Sequence, residues 1–164
     1  MKKIIVLLLL CVCFSLVNVT YGQAAAKAAY AEIGGPGLAS VNFDTRFAKK
    51  EDGLGGRIGI GGFSISDGVG DHVGIVTIPV GLNYLIGKDK KNYFELGVGF
   101  TYVGAKASAN DGSTNFHSSF GNITLGYRLA PERGGFFFKA EITPVFGDGF
   151  FIPYFAGIGF GYKF

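Results

Sequence analysis

A chain of 164 residues forms one domain at most, and its 28 glycines argue against a helical bundle, since glycine is about 1 kcal/mol worse than alanine inside a helix. Only 5 prolines beside 17 phenylalanines and 8 tyrosines argue against disorder. Charge is nearly balanced, 15 Lys and Arg against 12 Asp and Glu, so no nucleic-acid footprint is present and no nucleic-acid partner is expected.

The chain opens with Met1-Lys2-Lys3 and then an apolar run from Ile4 to Val17, too short for a comfortable membrane-spanning helix. This is the pattern of a secretory signal peptide. The small residues Thr20 and Gly22 suit cleavage before Gln23, which divides the chain into a signal peptide, 1–22, and a mature domain, 23–164. Cys11 and Cys13 both lie in the part removed, and the leucines before Cys11 are not the small residues expected beside a lipidated cysteine. The exported chain therefore has neither a disulfide nor a thiolate metal site to stabilise it. Closure of a sheet on itself is one alternative.

From about residue 29 the dominant period is two. Phe94, Leu96, Val98, Phe100 and Tyr102 alternate with Glu95, Gly97, Gly99 and Thr101. Val76, Ile78, Val80, Leu82 and Tyr84 alternate in the same way with Thr77, Pro79, Gly81 and Asn83, and Ile123, Leu125, Tyr127 and Leu129 with Asn122, Thr124, Gly126 and Arg128. Long alternating segments run over about 38–47, 54–66, 73–86, 93–107, 119–129, 136–147 and 151–164. That is an odd number, whereas single-chain bacterial barrels have an even one. A strand over 28–33, with a tight turn at Gly34-Gly35-Pro36-Gly37, brings the count to eight; one bent strand over 28–47 is the alternative.

In a soluble sandwich or lipocalin-like barrel, which share this alternation, the large apolar face would point inward and charge would stud the outside. Here the charges sit mid-strand among glycines. Turning the apolar face outward gives an aromatic and aliphatic belt and brings Asp44, Arg46, Arg57, Glu95, Arg128, Lys139 and Glu141 into the interior. The expected fold is all-β: an eight-stranded, antiparallel, up-and-down transmembrane β-barrel. Charges in so narrow a lumen need one another, so a network of three acids with four bases is expected. It serves either as a plug that locks the barrel or as a narrow ion path.

The connections on the side of the termini, Ala48 to Gly53, Gly87 to Asn92 and Ala130 to Gly135, are short and charged. Lys49, Lys50, Lys88, Lys90 and Lys91 make that rim basic. On the opposite side lie Gly34 to Gly37, Asp67 to His72, Asn110 to Ser118 and Gly147 to Gly149, without a lysine or arginine. The stretch at 109–118 is read as the one loop long enough to offer much surface.

The final residues, Gly157-Ile158-Gly159-Phe160-Gly161-Tyr162-Lys163-Phe164, resemble the carboxy-terminal assembly signal of bacterial outer-membrane barrels through Gly159, Tyr162 and Phe164; position 157, usually polar there, is glycine. The whole mature chain resembles a small barrel of the OmpA/OmpX type, and its Gly-Gly-Pro-Gly turn, Gln23 and brevity resemble the small barrels of Bacteroidetes-like bacteria. The resemblance implies a monomeric protein of the bacterial outer membrane with a structural or surface-interaction role. Its partners would be outer-membrane lipids and lipopolysaccharide, and the barrel-assembly machinery during insertion.

Catalytic and metal chemistry is thin. The His-x-Ser spacing of His117 and Ser119 resembles lipid A deacylases, in which a histidine base and serine nucleophile need a carboxylate to orient the imidazole, but no asparagine follows Ser119. His72 with Asp67 and Asp71 offers three ligand types on one loop without further support. No catalytic residue, metal or cofactor is expected. The Gly-x-Gly pairs lack the third glycine and helix of a dinucleotide site.

Overall fold

Alternation along each strand closes into a ring. The computed structural model describes residues 25–66, 72–109 and 112–164, so the signal peptide read over 1–22, the Asp67 and Asp71 pair and Asn110-Asp111 lie outside the described residues. Ten strand segments follow in order: β1 (Lys27–Gly34), β2 (Ala39–Arg46), β3 (Gly53–Ser66), β4 (His72–Ile86), β5 (Asn92–Ala109), β6 (Gly112–Leu129), β7 (Gly135–Ile142), β8 (Val145–Gly147), β9 (Phe150–Ile152) and β10 (Ala156–Lys163).

They make eight staves. Successive strands β1 to β6 pair antiparallel, β6 pairs with both β7 and β8, β8 pairs with β9, β7 with β10, and β10 returns to β1. Thus β7 and β8 are one stave interrupted at Thr143-Pro144, and β9 and β10 another interrupted at Pro153 to Phe155. Proline has no N–H to give to a ladder, and the flanking groups carry the pairing across each gap. The Ile123 amide donates to the Pro144 carbonyl at 3.0 Å and the Thr143 amide to the Phe155 carbonyl at 2.6 Å. Residues 28–47 form two strands, not one bent strand.

The apolar face is outside. Ile58, Ile60, Val80, Leu82, Val98, Phe100, Ile158 and Phe160 are all exposed, while Arg57, Asn83, Glu95, Thr101, Arg128 and Lys139 from the alternate positions are buried within the ring. This is the reverse of a soluble barrel.

Two expectations are corrected. The loop read over 109–118 is almost entirely strand: β5 runs to Ala109, β6 starts at Gly112, and the two pair continuously from Asn92↔Leu129 to Ala109↔Gly112. Ser, Thr and Asn with a single aromatic over 113–118 masked the alternation, which pairing to β5 supplies. His117 is likewise a strand residue. The Gly34–Gly37 turn is also not an outer surface connection, because it folds down into the mouth of the lumen.

Candidate functional site: the charged lumen and its mouth

Each lumen side chain is aimed inward by strand alternation, and the glycines between them give the long cationic side chains room. A Cβ on Gly55, for example, would lie 2.2 Å from the Arg46 guanidinium carbon. Arg128 is the hub. Its Nη1 and Nη2 donate to the two Asp44 oxygens at 2.9 and 3.0 Å, and its Nε and Nη2 donate to the two Glu95 oxygens at 2.8 Å each. Both pairs are bidentate, the geometry that best suits a guanidinium. Asp44 also pairs with Arg46 at 2.6 Å, and Asn83 bridges these two by donating to Asp44 and accepting from Arg46.

Lys139 continues the network outward. Its Nζ lies 3.2 Å from Glu95, 2.6 Å from Glu141 and 3.9 Å from Glu32. Arg57 closes it, 3.4 Å from Glu32 and 3.7 Å from Glu141. The structure therefore brings together Asp44, Arg46, Arg57, Glu95, Arg128, Lys139 and Glu141 and adds Glu32, so that four acids face four bases. The sequence reading missed Glu32 because β1 carries its small residues, Ala29 and Ala31, outward beside Ile33, and so lacks the large apolar face that marks the other strands. The counter-signal was the run Ala28, Tyr30, Glu32 at alternate positions.

Aromatic side chains also turn inward, among them Tyr30, Tyr93 and Phe137. Tyr30 stacks on Phe137 with ring centroids 4.7 Å apart, Arg128 lies 5.3 Å over Phe137, and Lys139 lies 5.7 Å over Tyr30. Cations on ring faces retain stabilisation when desolvated. Two small spaces in this region measure about 10 Å³ each, one against Arg57, Asn83 and Glu95 and one against Arg46, Arg128 and Phe137. Each is at most the size of about one water.

The outer mouth is filled by the β1–β2 turn. Pro36 is wholly buried, the Thr77 hydroxyl donates to the Gly37 carbonyl at 2.7 Å, and the Thr101 hydroxyl donates to the Pro36 carbonyl at 2.9 Å. Opposite them, the Gly35 amide donates to the Ala156 carbonyl at 3.0 Å. Gly34 and Gly35 have φ of 75° and 61°, and a Cβ on Gly35 would lie 2.9 Å from Glu141 Oε1. Glycine answers both the backbone conformation and the close approach.

At the inner end Lys163 is a latch. Its Nζ pairs with Glu51 and donates to the Pro131 and Glu132 carbonyls at 2.8 and 3.2 Å, which ties the last strand to two inner turns. Around it Lys49, Lys50, Lys88 and Lys90 line an open basin of about 400 Å³ with Glu51, Asp52 and Glu132. In the turn before β5 the Asp89 carboxylate accepts from the Asn92 side chain and from the amides of Asn92 and Lys91, which lowers its pKa. Lys90 and Glu132 pair at 2.7 Å across the rim, raising the lysine and lowering the acid.

Gly159 packs against Tyr30, whose Cδ2 would lie 3.1 Å from a Cβ placed there, while Tyr162 and Phe164 face outward. The Phe164 amide donates to the Lys27 carbonyl at 3.0 Å, and its ring lies 6.4 Å from that of Phe43. His117 and Ser119 share the outward side of β6, paired with Gly104 and Tyr102. His117 Nδ1 is 2.7 Å from the Tyr102 hydroxyl, so a phenol stands where a deacylase would need a carboxylate.

No protein-family model matches this sequence, and no curated protein matches it. Solved structures do. The N-terminal β-barrel domain of Pseudomonas aeruginosa OprF aligns with a TM-score of 0.58 at 16% identity, over 87% of this chain and 98% of that one. Ail, the attachment invasion locus protein of Yersinia pestis, aligns with a TM-score of 0.60 at 16% identity, over 88% of this chain and 100% of that one. A second Ail structure, in complex with the heparin analogue sucrose octasulfate, gives 0.59 at 16% identity, over 85% and 97%. By closed ring and by likeness, the fold is the eight-stranded antiparallel barrel of OprF and Ail.

Proposed function

We propose that the chain is an integral outer-membrane β-barrel with a structural or surface-interaction role, exported by removal of residues 1–22 and inserted as the 23–164 domain. One observation carries this reading: the ring is apolar outside and ion-paired inside. In water the arrangement would expose a continuous apolar band, whereas in a bilayer it leaves no strand edge within the ring to satisfy. The eight charges neutralise one another, and the Gly34–Gly37 turn covers one end. The network therefore acts as a structural plug and not as an ion path.

Outer-membrane lipids and lipopolysaccharide contact the belt of this monomer, and Gly159, Tyr162 and Phe164 are what the assembly machinery reads. Ail is known with a sulfated polyanion. Here the outer connections carry Asp67, Asp71, Asp111 and Asp148 and no lysine or arginine, so the charge favours a neutral or basic partner.

The test is a detergent gel of purified outer membranes with and without boiling, followed by planar-bilayer recording. A band that shifts on heating, begins at Gln23 by mass spectrometry and gives no unitary conductance supports the reading. A soluble periplasmic protein without a shift refutes the membrane assignment, and a steady conductance abolished by Glu95→Gln refutes the plug.

A further inference from the structure

The inner end of the barrel holds a polar group that the fold leaves without a partner. Tyr93 stands on the axis-facing side of β5, paired with Arg128 of β6, whose guanidinium goes to Asp44 and Glu95. Tyr93 is 2% exposed, and its hydroxyl has no hydrogen-bond partner among the described residues. It packs in one buried cluster with Ala28, Tyr30, Leu85, Ala130 and Phe137. The one other side-chain polar atom there, the Tyr30 hydroxyl, accepts from Arg57 at 3.4 Å. A buried hydroxyl left unpaired costs stability and calls for a reason.

The reason lies on the other side of the ring. Tyr93 forms part of the floor of the basin of about 400 Å³, against Gly87, where a Cβ would lie 2.6 Å from Tyr93 Cδ1. The β2–β3, β4–β5 and β6–β7 turns make the walls, and their charges are not all matched within the protein. Lys90 takes Glu132 at 2.7 Å, and Lys163 takes Glu51. Among the described residues Lys49, Lys50 and Lys88 make no ion pair, and the one acid left in the lining is Asp52, so a net charge of +2 stands over the hydroxyl.

We propose that the basin binds a phosphate group, with Lys49, Lys50 and Lys88 around its oxygens and the Tyr93 hydroxyl donating to one of them. A phosphate monoester carries about −1.5 to −2 near pH 7, which the unmatched lysines neutralise. The residue types favour phosphate over carboxylate. Lysine is a point charge that meets a tetrahedral anion from any side, and no arginine lines the basin to fork a planar carboxylate. The three lysines are exposed, so their arms can rearrange to bring an anion oxygen to the covered hydroxyl. The volume falls within the roughly 300–1,000 Å³ of small-molecule sites. The proposal rests on the outer-membrane reading for its location: the basin opens on the side of the termini, to a soluble phosphate ester or to a phospholipid headgroup of the inner leaflet.

The experiment uses the full mature barrel in maltoside micelles, which contain no phosphate. Only samples that shift on heating are titrated, so failure of the barrel reading is seen apart from failure of the site. The probes are glycerol 3-phosphate in solution and phosphatidylglycerol mixed into the micelles, each followed by the nitrogen-15 amide shifts of Lys49, Lys50 and Lys88. Saturable shifts with glycerol 3-phosphate support a soluble ester, and shifts with phosphatidylglycerol alone support a lipid headgroup. In either case Tyr93→Phe, which removes only the hydroxyl, should weaken binding about tenfold, as for one hydrogen bond to a charged group. Its urea midpoint should be unchanged or higher, because an unpaired hydroxyl is deleted. Lys49→Gln combined with Lys88→Gln should weaken binding at least as much, and acetate should bind at least about tenfold more weakly than glycerol 3-phosphate. Absence of saturable shifts with both probes overturns the proposal, as does equal binding by Tyr93→Phe or equal affinity for acetate. A clearly lower urea midpoint for Tyr93→Phe would give the hydroxyl a partner within the fold and overturn it as well.

Discussion

Arg128→Met tests whether the lumen is held by charge. The side chain is buried and makes four hydrogen bonds, two to Asp44 and two to Glu95. Methionine keeps the unbranched apolar stem but not the guanidinium and loses all four, leaving four acids against three bases. Removing one partner of a buried pair costs about 3–5 kcal/mol, because the remaining charge stays desolvated. Here Asp44 keeps Arg46 and Glu95 keeps Lys139, so the low end, about 3 kcal/mol, is the expectation. Adding Glu95→Gln restores the charge balance and should recover about 1–2 kcal/mol of that loss as a coupling between neighbours. Arg128→Lys, which keeps the charge but cannot reach four acceptors, should fall between wild type and Arg128→Met. The assay is reversible urea unfolding in lipid vesicles, followed by far-ultraviolet circular dichroism and by the heat shift on gels. A loss under about 1 kcal/mol for Arg128→Met, within the range of an exposed ion pair, would mean that the lumen is hydrated and would refute the plug. A double variant no better than the single would refute the pairing.

Three further outcomes follow from the geometry. Gly35→Val places a β-branched residue at φ 61° and a Cβ 2.9 Å from Glu141, so the turn should leave the lumen mouth. The expected cost is at least the roughly 1–3 kcal/mol of a strained backbone, and faster hydrogen exchange at Gly37 and Leu38 reports the release; unchanged exchange would count against the inward turn. In the Asp89 turn the carboxyl should titrate below its ordinary value of about 3.9, so its ordering is present above that pH and lost as pH falls through the lowered value. Carbon-13 titration of Asp89 checks this, and Asn92→Ala should move the midpoint up by removing the first of its donors. At the carboxy terminus, Phe164→Ala should lower the amount of heat-shifting barrel in cells more than it lowers the stability of refolded protein, since Phe164 faces outward with its ring 6.4 Å from that of Phe43. Equal losses in both measurements would make it a packing residue and not an assembly signal.

Where the side chains alternate strongly, the sequence was sufficient. The row Phe94, Leu96, Val98, Phe100 and Tyr102 fixes which face of β5 meets lipid, and Glu95 then has no place but the lumen. The same logic supplied the other six inward charges, because a period of two leaves only two faces. It failed where local composition is small or polar. Glu32 was overlooked on a strand of alanines, and 112–118 was read as a loop because its partner strand, not its own residues, makes it extended. No local pattern in Gly-Gly-Pro-Gly says whether a turn points to solvent or into a barrel. That depends on Thr77, Thr101 and Ala156, which come from three other staves. The sequence by itself thus determined the ring, its handed-out polarity and the charges inside. Tertiary structure alone decided how those charges pair and how the mouth is closed, since each depends on register between strands distant in the chain.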